Sequence, residues 1–399
     1  VALTLLALGF LALLALGYRI YGGFVARRLG LDDSRPTPAV TVNDGVDFVP
    51  AGRFYLFAQH FSAIAAAGPI AGPILACQGF GWLPCLVWIG LGVVFIGAVH
   101  DFTALAASVR HGAGTVAEIA RQHLGGGAGR AFLAFIGIAL VYVIVAFADI
   151  TAGTFVEGAE ELAGVEASFH TGGAVAAAST LYLTLSLLLG AVQRWLRPPL
   201  WLATLIFVPA SFGAAWLGTR LSGALVLGHG TWVLLILAYC GLASITPVWA
   251  LLQPRGYLGG FVLYAALALG VIGVLFGGYA IEQPAFRGWD TGAATGTLFP
   301  FLFVTIACGA CSGFHGLVCS GTTSRQVARE SHMRAVGYGA MLAEAFVALI
   351  ALVTVMIAAD GELRGADGRP IAAGTIYGHG IGRFMTLLVG EEHYRFAVT

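Results

Sequence analysis

Lysine is absent: all 20 basic residues of the chain are arginine. That excludes Schiff-base chemistry on a lysine amine and any coupling in which a lysine ammonium stands in for a sodium ion. Charge of either sign is scarce, 10% of 399 residues, and it cancels to a formal zero. Nothing in that balance points to a nucleic-acid partner or to a tail drawn to acidic surfaces. The first segment, "VALTLLALGFLALLALGYRIYGGFVARRL", has neither an initiator methionine nor a small-residue cleavage site, and its apolar stretch is too long for a signal-peptide core. It reads as a retained helix in a chain trimmed at its start. What is present is apolar. A hydrophobic share of 58% and a mean hydropathy of +0.88 lie far from the balance of a soluble domain and predict an all-α polytopic protein with the lipid bilayer as its solvent.

Apolar runs of the roughly 20 residues needed to span a bilayer recur near 1–27, 54–78, 83–109, 130–156, 172–190, 199–218, 230–252, 257–280, 298–320 and 334–358. The Gly-rich tail after residue 370 is more polar and reads as interfacial. Arginine concentrates in alternate connections: Arg27, Arg28, Arg35 and Arg53, then Arg110, Arg121 and Arg130, then Arg194 and Arg197, then Arg255, then Arg325, Arg329 and Arg334. By the positive-inside rule those loops are cytoplasmic and the N-terminus is periplasmic. The opposite connections hold Arg220, Arg287, Arg364 and Arg369 with an acidic patch of Glu157, Glu160, Glu161 and Glu166.

Two spans are interrupted alike. One carries "AAAGPIAGPILA" with Gly68, Pro69, Gly72 and Pro73; another carries "CGLASITPVWALLQP" with Ser244, Thr246, Pro247 and Trp249. Proline frees helix carbonyls that lipid cannot satisfy, so such breaks sit where they line protein or water. With residues 1–30 counted as an extra helix, each break opens a five-helix unit, 54–220 and 230–399, and the two run in opposite directions. That is the pattern of inverted repeats with discontinuous helices at a substrate site; proline kinks at a packing interface would look the same. Helix ends exposed at the breaks offer unpaired N–H groups to a substrate carboxylate, so the substrate is expected between Gly68 to Pro73 and Ser244 to Trp249.

Ionisable residues inside spans are costly and are functional candidates: His60, His100, Asp101, Asp149, His315 and Glu344. Glu344 lies about 15 Å into its span, either as a proton carrier or as a neutral acid bonded between helices. His100 and Asp101 sit nearer the cytoplasmic end and can equally tie helices together; Asp149 falls toward the outer end. The run "ACGACSGFHGLVCSGTTSRQ" places Cys308, Cys311, His315 and Cys319 on one helical face. On a straight helix the outer two would be roughly 16 Å apart, too far for one tetrahedral zinc site with ligands about 2.0–2.3 Å from the ion. Cys308, Cys311 and His315 remain a metal or redox alternative to plain packing, with a break at Gly309 or Gly313 as the way to a tighter cluster. Ser320, Thr322 and Thr323 follow, and their hydroxyls can coordinate a hard cation or simply bond neighbouring helices.

The segments "NDGVDFVPAGRFYLFAQHFSAIAAAGPIAGPILA", "GAVHDF", "FADITAGTF", "PVWALLQPRGYL", "FPFLFVTIACGACSGFHGLVCSGTTSRQ" and "GYGAMLAEAFVALIAL" resemble the signature segments of the carbon starvation protein A family. The resemblance implies a LeuT-like secondary transporter of the amino acid, polyamine and organocation group. It would import peptides or pyruvate across the cell inner membrane during carbon starvation, as a symporter with no cofactor and with H+ or Na+ as coupling ion. It also implies that the 298–320 span is the eighth core helix, so that Ser320, Thr322 and Thr323 face the first broken helix at an ion site. His315, Glu344, His100, Asp101 and Asp149 are then the further ion or proton candidates. The family continues into a helix bearing a Thr-Leu-Asp motif, so the last core helix is expected beyond Thr399.

Overall fold

A computed structural model describes residues 2–156, 159–160, 169–247, 249–292, 296–364 and 371–390. The acidic patch lies outside the described residues apart from the backbone of Glu160, as does Arg369. In chain order the helices are α1 (Leu3–Leu29), α2 (Arg53–Ile64), α3 (Gly68–Phe80), α4 (Trp82–Arg110), α5 (Val116–Val156), α6 (Thr171–Trp195), α7 (Leu200–Arg220), α8 (His229–Ile245), α9 (Leu252–Phe276), α10 (Leu298–Thr305), α11 (Ala307–Ala310), α12 (Gly313–Val318), α13 (Arg334–Met356) and α14 (Ala373–Val389). Among the described residues seven helices are long and apolar enough to cross a bilayer, eight if the bent α2–α3 pair counts as one span. The chain is a multi-pass membrane protein.

The expected break at Gly68 is present: α2 and α3 are separated by three residues and bent by 44°. The break near Pro247 ends α8 at Ile245, and the next helix starts at Leu252. The helix expected over 130–156 begins earlier, at Val116, with a non-helical joint at Gly125, whose φ of 85° suits a residue without a Cβ. The 298–320 run is not one helix. Ile306 (φ −94°, ψ 5°) separates α10 from α11, and the extended Cys311 (φ −163°, ψ 89°) and Ser312 (φ −95°, ψ 120°) separate α11 from α12, so the second break falls between the two glycines that sequence reasoning marked. Apolar composition alone cannot register such a backbone step.

Contacts divide the chain into two compact units, residues 1–143 with 280–357 and residues 144–279 with 358–399. In the first unit α13 is the central helix. Apolar on every side, as a fully surrounded helix must be, it is 83% buried over its most hydrophobic window and packs against α2, α3, α4 and α11. Small residues permit tight approaches here: a Cβ on Gly309 of α11 would lie 2.9 Å from the Ala348 methyl of α13, and among the neighbouring helices one on Gly72 would lie 2.5 Å from the Thr305 carbonyl oxygen and one on Gly97 would overlap that of Ala310.

Four stretches of this unit are π-helical: Gly17–Tyr21 in α1, Val93–Gly97 in α4, Cys319–Thr323 after α12, and Arg334–Gly339 opening α13. Three have a carbonyl taken up by a side chain from elsewhere. Arg334 donates to Tyr18 O at 2.6 Å, the Tyr338 hydroxyl to Val94 O at 2.9 Å, and the Ser108 hydroxyl to Ser320 O at 3.2 Å. Such turns disturb the i to i−4 ladder and recur at functional sites.

The arginine-bearing ends of α1, α4 and α13 meet at one end of the first unit. There Glu330, its side chain 3% exposed, accepts from Arg110 at 2.9 Å and 3.1 Å and from the Asp32 backbone N–H at 2.9 Å, with Arg35 at 3.4 Å. Burial pushes the Glu330 carboxyl up, but the Arg110 bonds, the Asp32 N–H and the Arg110 and Arg35 charges outweigh it and hold the group below the ordinary glutamate range.

In the second unit α6 and α7 form a close pair, with Gly218 against Ala174 and Ala178, and α9 packs on both and on α14. Ala152, Ala176 and Trp232 make one core cluster and Leu189, Ala203 and Leu258 another.

Candidate functional site

The first unit gathers titratable side chains where solvent does not reach. Asp101 sits on α4 one turn after the π stretch 93–97, His315 on α12 one turn before 319–323, and Glu344 on α13 shortly after 334–339. All three side chains are 0% exposed. His315 Nδ1 is 2.8 Å from Asp101 Oδ2, and His100 Nδ1 is 2.8 Å from Asp101 Oδ1. An ionised Asp101 therefore accepts from both rings and fixes the His315 tautomer with its proton on Nδ1. The other ring nitrogen, Nε2, faces Glu344 Oε2 at 3.2 Å, yet among the described residues neither atom has a hydrogen-bond partner of acceptable geometry. His100 is 39% exposed in its side chain and opens the chain of groups outward.

Energetics set what this arrangement can do. An ion pair at 3.2 Å attracts by roughly 5 kcal/mol at an effective dielectric constant of about 20, while burying each ion costs several kcal/mol. The two oppose each other, and a proton passing between the facing Nε2 and Oε2 atoms would interconvert the charged and neutral forms of the His315 and Glu344 pair. The chain His100, Asp101, His315, Glu344 is thus chemically suited to hold and pass a proton.

Cys308, on α11, adjoins the same place. Its Sγ lies 4.0 Å from Glu344 Oε1 and 3.7 Å from the Ser312 hydroxyl. One ligand atom each from Cys308, His315 and Glu344 fall within 4.8 Å of one another, the set among the described residues that can hold a metal ion. The third member is Glu344, not the Cys311 that local spacing suggests, because the step at Cys311 and Ser312 turns α11 and α12 toward α13.

The remaining candidates have other partners. Ser320 is buried, and its hydroxyl accepts from the Val116 N–H at 3.2 Å. Thr323 is buried and bonds His60 Nδ1 at 2.8 Å, while Thr322 is exposed. His60, fully enclosed with Cys319 Sγ 3.9 Å from its Nε2, has a partner that no local pattern shows; its only signal in the sequence is a histidine inside an apolar span. Pro69, Gly72 and Pro73 are buried, Gly72 against Thr305 and Ile306 and Pro69 against Gly309, and Gly68 is half-buried. In the second unit the Ser244 and Thr246 hydroxyls donate to the carbonyls of Gly241 and Leu242, each at 2.7 Å, Pro247 is exposed, and Trp249 carries the Arg194 guanidinium 5.4 Å above its ring. Asp149, 70% exposed, pairs with His229 at 3.3 Å in that unit.

Residues 1–370 match the family of carbon starvation protein CstA. The peptide transporter CstA of Mycobacterium tuberculosis is 38% identical over 359 residues, 86% of this chain and 45% of that protein. Its Helicobacter pylori counterpart is 37% identical over 359 residues, 87% and 50%. The pyruvate/proton symporter BtsT of Escherichia coli is 35% identical over 355 residues, 86% and 48%. The chain spans about half the length of the curated relatives it matches. No solved structure matches it significantly. On a family match across residues 1–370 and identities of 35–38%, the chain belongs to the carbon starvation protein CstA family.

Proposed function

We propose that the protein is a proton-coupled importer of a small carboxylate-bearing nutrient, a peptide or pyruvate, and not an enzyme. The observation that carries this reading is the fully buried Asp101, His315 and Glu344 chain, with His315 Nε2 and Glu344 Oε2 facing each other uncommitted at 3.2 Å. A membrane protein that buries two acids against one imidazole incurs a stability cost that a purely structural contact would avoid. Proton exchange between the ring and Glu344 makes use of it. The relatives' names agree: several are peptide transporters and one is a pyruvate/proton symporter. That last name favours H+ over Na+ as coupling ion.

The proposal includes alternating access between LeuT-like inverted repeats over 54–220 and 230–399, with 1–30 as an extra helix, in the inner membrane with a periplasmic N-terminus. Gly68 to Pro73 and Ser244 to Trp249 are each proposed as substrate-contacting segments, and Ser320, Thr322 and Thr323 as secondary ion ligands. Uptake of labelled pyruvate and of a labelled dipeptide into proteoliposomes of the full-length protein, with proton and sodium gradients imposed separately, tests it. Accumulation of one substrate under the proton gradient, lost in Glu344→Gln, is the expected result. Accumulation of neither substrate by correctly inserted protein would defeat the proposal.

A further inference from the structure

The donors around His315 form a more specific receptor than a proton needs. Cys308 Sγ, a His315 ring nitrogen and a Glu344 carboxylate oxygen lie within 4.8 Å of one another. His315 Nε2 and Glu344 Oε2 are buried without a hydrogen bond, a state that ordinarily costs stability. Behind the ring, Asp101 accepts from Nδ1 at 2.8 Å and is itself steadied by His100 at 2.8 Å. That carboxylate-to-imidazole support is what orients a metal-binding histidine and directs its free lone pair at the ion.

We infer that Cys308, His315 and Glu344 form a site for a thiophilic divalent cation of the zinc class, which takes the place of the transferred proton and blocks its passage. One thiolate, one imidazole and one carboxylate are the donors zinc and its heavier congener cadmium prefer, whereas magnesium and calcium select all-oxygen sets. Around a tetrahedral zinc with bonds of about 2.0–2.3 Å the ligand atoms stand roughly 3.3–3.8 Å apart. The 4.8 Å limit leaves about an ångström to close, within the reach of rotations of the Cys308 and Glu344 side chains.

Charge balances as well. With Asp101 and Glu344 ionised, His315 protonated and Cys308 a thiol, the cluster carries one negative charge. Entry of a divalent cation with release of the Cys308 thiol proton and the His315 Nε2 proton leaves it at one negative charge. The exchange therefore adds no buried net charge, and it couples binding to the loss of two protons. Cys308 is only half-buried. The binding claim stands without the transport reading; the blocking claim rests on it.

The test is titration of the purified full-length protein with cadmium, followed by the ultraviolet absorption of a cadmium–thiolate bond. A saturable band at one cadmium per chain is expected. It should be lost in Cys308→Ala, weakened at least tenfold in affinity in Glu344→Gln, and kept in Cys311→Ala and Cys240→Ala, all checked for an unchanged thermal transition. Absence of a band in the wild type, or its survival in a folded Cys308→Ala protein, overturns the site. In proteoliposomes zinc should then inhibit proton-driven uptake and chelation should restore it; full uptake at saturating zinc overturns the blocking claim. A cadmium band in protein that shows no proton-driven uptake at all supports the site and overturns the transport reading instead.

Discussion

Replacing Asp101 by Asn tests the buried chain at its centre. The side chain keeps its shape but loses the charge that two histidine rings share. At 2.8 Å the attraction between ionised Asp101 and a protonated His315 is roughly 6 kcal/mol at an effective dielectric constant of about 20. After the compensating change in desolvation, breaking such a pair costs about 3–5 kcal/mol. The imidazolium form becomes at least about a hundredfold rarer, since each 1.4 kcal/mol is about a factor of ten. With His315 neutral an amide can still bond the ring, so the folded state loses only about 1–3 kcal/mol. The assay compares two rates in the same vesicles: uptake driven by an imposed pH gradient, and exchange of labelled for unlabelled substrate without a gradient. Asp101→Asn should lower the first about a hundredfold and leave the second within about threefold, by the same free-energy argument. Gradient-driven uptake near the wild-type rate would refute the reasoning, and equal loss of both rates would assign Asp101 to folding alone.

Three further outcomes are expected. Gly72→Ala forces a methyl to within 2.5 Å of the Thr305 carbonyl oxygen, and since backbone stands on both sides the unfolding free energy should fall by about 1–3 kcal/mol; a wild-type melting curve would contradict the close approach. Thr323→Val leaves the buried His60 ring without its 2.8 Å partner and should cost about 1–3 kcal/mol, whereas Thr323→Ser should restore most of it in the same thermal assay. Glu330 titrates below its ordinary range in the folded state, so its contribution is complete above about pH 4.3 and declines as pH falls through the lower native value. A stability profile on the acid side should show that decline in the wild type and a flatter curve in Glu330→Gln; parallel curves would remove Glu330 from the account.

Much of the architecture is readable from composition because a bilayer asks for so little: about 20 apolar residues and an internally bonded backbone. The bent α2–α3 pair was legible because Pro69 suits the first turn of a helix and so marks a new start at Gly68, although Gly72 and Pro73 then continue inside α3. The step at Cys311 and Ser312 was not, because neither residue is a strong helix breaker and the backbone there follows the packing of α11 and α12 on their neighbours. Glu344 announced itself as a mid-span acid. Its partner could not be found locally: Asp101 and His315 are 214 positions apart and Cys308 and Glu344 are 36 apart, so only tertiary folding brings the four together. Of His100 and Asp101, equally readable as a helix tie, it is Asp101 that bonds His315 between α4 and α12, while His100 bonds Asp101 beside it on α4. No residue type signals a π-helical turn, and none of the four was foreseen.

Those turns have a consequence for how the cluster tolerates change. A π turn is an α-helix carrying one residue too many, and one residue corresponds to about 100° of rotation around the axis. The surplus at Val93–Gly97 sets the phase in which Asp101 emerges, that at Arg334–Gly339 sets the phase of Glu344, and Tyr338 holds the first in place from within the second. Alignment of the acids is therefore stored as chain length, a quantity no side-chain replacement can alter. Deleting a single residue from either turn would restore the α-helical ladder there and swing a carboxylate away from His315.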